Sequence, residues 1–207
     1  MRGILKRSFS LILVFSLAFG AFSVNTVTSQ AATKTVKITG KYYQSDSRKM
    51  LKKINSFRTG KNAWYYNESG KKVKLKNLKK LSYDYKLEKV AMKRAAEIKY
   101  SFSHTRPNGK DCFSLYPSGY SWCGENIAMG YTSVSSVMEG WKETNEDYYG
   151  QGHRRNMLSK NFTCVGIACF EVGGYKYWVQ EFGSPKSSAK KTTACNKKKT
   201  VKITVKK

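Results

Sequence analysis

The chain has 207 residues, with 39 lysines and arginines against 13 aspartates and glutamates, a formal charge of +26 at pH 7. A surplus of this size concentrates counter-charged partners and costs self-repulsion where none is present, so it points to polyanionic surroundings. No nucleic-acid reading motif accompanies the charge, so no specific nucleic-acid partner is expected, only salt-sensitive, non-specific association of that kind.

Residues 1–31 read as an export signal. Arg2, Lys6 and Arg7 precede an apolar run from Phe9 to Phe22, and Ser29-Gln30-Ala31 offers small residues for cleavage. The run is broken by Ser16 and Gly20, and no second such stretch follows, so no membrane span is expected in the mature chain. Cleavage removes three basic residues and no acid, leaving 26 − 3 = +23 over 176 residues. A secreted, extracellular or wall-associated protein is expected, with an anionic wall polymer or membrane surface as electrostatic partner.

A basic segment, 32–44, follows. Its KTVKIT at 34–39 recurs at 199–204, and the alternation of Val36/Ile38 and Val201/Ile203 with polar residues fits two short strands that bring the termini together. Composition biased toward Lys and Thr gives the same pattern without pairing. Residues 184–207 hold nine lysines and no acid, which reads either as a solvated, disordered tail or as a binding segment.

One mixed domain is expected between 45 and 183, a usual size for a single core. Met50, Leu51, Ile54 and Phe57 form a helical stripe over 47–58. From Asp84 to Tyr100, Leu87, Val90, Ala91, Arg94, Ala95 and Ile98 recur at helical offsets, with Asp84 placed as the cap. Val134, Val137, Met138 and Trp141 mark a third helix after Thr132-Ser133, with Trp141 as a core anchor. Two aromatic, apolar runs, Phe162–Phe170 and Tyr175–Phe182, joined through Gly173-Gly174, predict an antiparallel hairpin for these helices to cover.

Five cysteines in an exported chain permit two disulfides. The preferred pair is Cys112–Cys123, which brackets a loop just before Glu125. Cys164 and Cys169 lie five apart, on opposite faces of a continuous strand, and cannot bond each other.

The only histidines, His104 and His153, lie in FSHTRPNG (102–109) and GHRRNML (152–158), with Glu125 between them in GENIAMG. Two imidazoles and a carboxylate are the parts of a metal site or an acid/base pair. Pro107-Asn108-Gly109 is a turn that sets His104 at a helix exit, and Arg154 and Arg155 beside His153 suit an anionic ligand at a groove rim. Trp64, Tyr65 and Tyr66 suit either sugar stacking or packing.

In chain order, NSFR, FSHTRPNG, GENIA, Trp141 with GHRRNML, VGIACF and YWVQEFG resemble the CAP superfamily of cysteine-rich secretory, antigen and pathogenesis-related proteins, on its bacterial SCP-like branch. The resemblance covers roughly 45–183. It implies an α/β mixed fold, a three-layer α-β-α sandwich around a mainly antiparallel sheet. It also implies a groove tetrad of His104, Glu125, His153 and a second acid, sometimes holding zinc or another divalent metal. Glu143 and Glu146 both compete for that fourth place, lying two and five residues after Trp141, while many relatives place it between, where this chain has Thr144. The metal ligands implied are His104, His153 and Glu125. Members of the superfamily share no one established reaction, so ligand or metal recognition is expected ahead of turnover. A metal-dependent hydrolase and a sterol or lipid carrier are the alternatives.

Overall fold

The structure, a computed structural model, describes residues 8–11 and 32–207. The export signal therefore lies outside the described residues, except for a short strand, β1 (Ser8–Leu11). No helix among the described residues is long and apolar enough to cross a membrane.

Helix α1 (Gln44–Thr59) buries Met50, Ile54 and Phe57 of the predicted stripe and leaves Leu51 half-buried, but starts three residues before the expected 47–58. The stripe cannot mark that start, because the chain's other end fixes it. Gln44 N–H donates to Cys195 O at 3.2 Å and Ser45 N–H to Asn196 Oδ1 at 2.9 Å, satisfying amides that a helix N-terminus leaves orphaned. Helix α2 (Tyr85–Tyr100) follows its expected boundaries. Asp84 caps it by accepting from Lys86 N at 2.8 Å and Leu87 N at 3.1 Å. Helix α3 (Val134–Lys142) opens on a capping box between Ser133 and Ser136. The GHRRNML string forms a short helix, α4 (Gly152–Leu158).

Strands β2 (Thr33–Tyr42), β6 (Trp122–Met129), β7 (Cys164–Val172), β8 (Tyr175–Ser184) and β9 (Lys198–Lys206) make the main sheet with β1, in the order β1-β6-β8-β7-β2-β9. All these pairings are antiparallel; β5 (Ser82–Tyr83) adds a short parallel rung on β7. A separate hairpin of β3 (Trp64–Tyr66) and β4 (Lys72–Lys74) holds the aromatic triplet.

Alternation along the hairpin of β7 and β8 divides the core in two, because successive side chains leave a strand on opposite faces. Val165, Ile167, Cys169 and Trp178 meet α1 and α3 on one face; Ala168, Phe170, Tyr177 and Val179 meet α2 on the other. Trp141 is fully buried in the first core. The result is the three-layer α-β-α sandwich with a mainly antiparallel sheet. Gly166 allows it to close: a Cβ there would stand 2.1 Å from the backbone of Leu87 and Glu88, so only glycine lets α2 begin so near β7.

The lysine-rich C-terminus is not a solvated tail. Nine consecutive residue pairs join β2 to β9, with Val36 opposite Ile203 and Ile38 opposite Val201, and Ile203 and Val205 are 1% exposed. The intervening segment is tied down as well: Ser187 donates to both Asp84 carboxylate oxygens, from N at 2.6 Å and Oγ at 2.8 Å, and Arg48 donates to Thr192 O at 2.9 Å. Alternating apolar residues outweigh lysine content here because each lysine falls at a position that leaves its ammonium in water.

Candidate functional site

Strand β6 carries the site. Its Glu125 is fully buried and opposite Glu181 of β8. Burial disfavours the Glu125 carboxylate, but Arg94 and His104 outweigh it and hold the group below the usual carboxylate range. Arg94, from the buried stripe of α2, donates through Nε to Oε2 at 2.6 Å and through Nη2 to Oε1 at 3.2 Å. Arg94 also reaches Glu97 Oε2 at 3.0 Å and Ser103 O at 2.6 Å, while Arg106 donates to Glu97 Oε1 at 2.8 Å. Two arginines and two glutamates thus form one interlocked, buried ion cluster under the loop that holds His104.

His104 is placed by the exit of α2 and by the turn after it, where Gly109 takes φ 81° and returns a hydrogen bond to Arg106 O at 2.8 Å. Its Nδ1 lies 2.7 Å from Glu125 Oε1. An ionised Glu125 accepts, so Nδ1 is the donor of this pair, and in the neutral ring that tautomer leaves the lone pair on Nε2. That Nε2 is buried and meets no hydrogen-bond partner among the described residues. Cys112 completes the group: donor atoms of His104, Cys112 and Glu125 all lie within 4.8 Å of one another.

His153 is held differently. Its Nδ1 pairs with Glu143 Oε1, and its ring lies 6.3 Å from that of Trp141, on the α3 side of β6. Glu143 reaches this position from the C-cap of α3, in the left-handed region at φ 46°. Glu146 is exposed on the following loop, beside Gly150. Among the described residues there are thus two Glu–His pairs, one each side of β6, linked through Asn126 and Asn156. Asn126 Nδ2 donates to His153 O at 3.2 Å, and Asn156 Nδ2 to Asn126 Oδ1 at 2.8 Å and to Glu125 O at 3.2 Å. His153 does not join the compact group of His104, Cys112 and Glu125.

Arg154 does not line a groove rim. It is buried at 1% exposure, donates to the carbonyls of Trp64, Lys142 and Asn62, and stacks 3.9 Å from the Trp64 ring, locking the β3–β4 hairpin to α4. Arg155 lies 4.0 Å over Tyr148 and lines an open groove of about 900 Å³ with Tyr65, Trp122 and Tyr148. All five cysteines are free, and the expected Cys112–Cys123 bridge is absent. Burial pushes both thiols up, that of Cys123 to about 11.

Sequence reasoning passed over Arg94 and Glu181 as site residues, and took Cys112 for a disulfide. Arg94 among the core positions of α2 was the available signal, since a buried arginine needs an acid to pair with. Glu181 is completely buried, and burial and the Glu125 charge push its carboxyl well above the usual carboxylate range. The two acids give opposite pH dependences. Glu125, lowered in the fold, stabilises above about pH 4.3 and loses that contribution as pH falls through its folded pKa. Glu181, raised in the fold, stabilises least once the unfolded chain ionises, so stability declines as pH rises above about 4.3. Glu181→Gln, which mimics the neutral acid, is expected to abolish most of that decline. Melting midpoints of both proteins at pH 5 and pH 8 would check it; parallel declines would refute it.

A fold with helices on both faces of an antiparallel sheet, and a Glu–His pair on each side of one strand, defines the class of protein. The family model described as CAP, the cysteine-rich secretory protein family, matches residues 51–182, and the chain belongs to that family. It is 33% identical over 110 residues to the uncharacterized protein YkwD of Bacillus subtilis (strain 168), a match covering 51% of this chain and 40% of that relative. The fold resembles an outer surface protein of Borrelia burgdorferi, with TM-score 0.54 and 20% identity over 71% of this chain and 99% of that one. It also resembles venom allergen-like protein 4 of Schistosoma mansoni, with TM-score 0.50 and 18% identity over 70% and 92%.

Proposed function

We propose that this is an exported CAP-domain protein that binds a divalent cation of the zinc type reversibly at His104 and Cys112, with Glu125 behind them. Two observations carry the reading: His104 shares a compact His, Cys and Glu donor group, and its buried Nε2 meets no hydrogen-bond partner among the described residues. Imidazole, thiolate and carboxylate are the donors zinc takes, and a carboxylate on Nδ1 fixes the tautomer that leaves Nε2 to ligate. When bound, such an ion supplies Lewis acidity or a tether between loops. Recognition is favoured over turnover because Glu125, the nearest base, already accepts from Arg94 and His104. Export rests on the charged and apolar pattern of residues 1–31. Cleavage after Ala31 removes β1 and leaves the outer edge of β6 open beside both Glu–His pairs.

Calorimetric zinc titration near pH 7.5 of the protein lacking residues 1–31 is the test. Binding is expected to disappear in His104→Ala and Cys112→Ser, confirmed as folded, and to persist in His153→Ala. Loss in His153→Ala as well would place both histidines on one ion, and equal binding in all four proteins would sink the reading.

A second reading, an apolar-ligand carrier, has one observation in its favour. A groove of about 730 Å³ between α1 and α3 is lined by Phe57 and Met138 with Lys49, Lys52, Lys53 and Lys142, the last paired with Glu139. That combination suits an acyl chain with an anionic head. Extraction of a fluorescent fatty acid from vesicles, lost in Met138→Glu, would support it; no extraction would end it.

A further inference from the structure

The recurrent KTVKIT string has no part in the metal reading, and its register gives it a distinct character. The string is self-complementary: TVKIT read antiparallel against itself sets Thr35 opposite Thr204, Lys37 opposite Lys202 and Thr39 opposite Thr200. One rung further, Lys41 stands opposite Lys198. These eight side chains share one face of the β2–β9 ribbon, because directly opposed residues in an antiparallel pair leave on the same side. All eight are exposed. Val36, Ile38, Val201 and Ile203 take the opposite face and pack toward α2.

Like charges directly opposite each other destabilise a sheet. Here they occur twice, about 13–14 Å apart along the ribbon at the usual rise per residue. The threonines between them bond one another, with Thr39 Oγ1 and Thr200 Oγ1 2.8 Å apart, and keep the surface flat and polar. Compensation for the lysines is slight. Glu171 of β7 lies beside Lys41 in the register, and Lys41 sits 4.7 Å over the Tyr43 ring; the Lys37–Lys202 rung has no acid in register.

We infer that this Lys/Thr ladder is a binding face for a linear phosphodiester polymer, one with a negative charge at each repeat. The chemistry of the face selects that partner. A bilayer-binding surface adds large apolar side chains to its basic ones, and none of these eight is apolar; Tyr43, at the end of the ladder, is covered by Lys41 and Lys176. A single-stranded nucleic acid is held by aromatic stacking as well as charge, and no aromatic residue lies among the eight. A small anion would occupy one rung, whereas a chain polymer neutralises both lysine pairs at once and relieves their repulsion.

The test is binding of deacylated poly(glycerol phosphate) at about 0.15 M salt, comparing the protein without residues 1–31 with two double variants of equal charge. Lys37→Thr/Lys202→Thr is expected to lose about tenfold or more in affinity, an effect of charge placed at the contact. Lys79→Gln/Lys80→Gln, altered at exposed positions off the ladder, is expected to stay within about twofold. The ladder variant should also melt at a higher temperature than the parent in low salt, which separates lost contact from lost fold. Lys37→Arg/Lys202→Arg should keep binding. Equal losses in the two charge-removing variants, binding to anionic vesicles but not to the polymer, or no binding by the parent would each overturn the assignment. Zinc affinity should be the same in all of these variants, so the outcome is independent of the His104 site.

Discussion

Arg94→Met is expected to lower the free energy of unfolding by about 3–5 kcal/mol, the cost of breaking a buried ion pair from one side. Arg94 and both its acid partners have fully buried side chains, so solvent cannot take over its role. Without it, Glu125 keeps His104 and its neighbour Glu181, neither of them a permanent cation, and Glu97 keeps Arg106. The lost interaction is also a main cause that holds Glu125 ionised against its burial, so in the variant the carboxyl should protonate at a higher pH than in the parent and its hold on His104 should weaken there. Urea unfolding at pH 7.5 measures the first effect, and the His104 titration by NMR the second. Arg94→Lys should recover little, since an ammonium cannot span Glu125, Glu97 and Ser103 O as a guanidinium fork does. Adding Glu125→Gln to Arg94→Met should return part of the loss, because no uncompensated charge then remains at that carboxyl. An unfolding midpoint unchanged in Arg94→Met would mean that the cluster does not brace the loop.

Deleting residues 196–207 is expected to cost on the order of 5 kcal/mol, from about 1.5–3 kcal/mol for each buried aliphatic side chain removed. Ile203 and Val205 leave the core, Val36 and Ile38 lose their cross-strand partners, and α1 loses the Asn196 contact to its first turn. Against a usual total stability of about 5–15 kcal/mol, the truncated chain should be largely unfolded or aggregated at 37 °C. Ile203→Ala gives a milder version of the same test, with an expected loss of about 2–5 kcal/mol. Thermal melts of both would decide the matter. A truncated protein that melts with the parent would show that β9 is dispensable and that its lysines act as a solvated extension.

Much of this architecture is local in origin and therefore readable in the chain. The stripe from Leu87 to Ile98 and its Asp84 cap specify α2 because both lie within one helix. Gly173-Gly174 between two apolar runs specifies the β7–β8 hairpin because the turn adjoins the strands it joins. The repeated KTVKIT pattern signalled two strands through simple alternation, while lysine content argued for a disordered tail; burial of Ile203 and Val205 across a separation of more than 150 residues decided between them.

The site motifs were equally plain, since His104, Glu125 and His153 each sit in a short distinctive string. Their partners were not. Glu143 rather than Glu146 meets His153 because the left-handed turn after α3 directs it there, and one-dimensional spacing from Trp141 carries no such direction. Cys112 faces His104 instead of bonding Cys123, and Arg154 supports a hairpin instead of a ligand. Sequence by itself determined the three longer helices, the β7–β8 hairpin, the family and the two histidine strings, because helix period, strand alternation and turn chemistry act over a few residues. Only the tertiary structure decided which charges pair, since a buried carboxylate must take whichever donor the packing brings within about 3 Å.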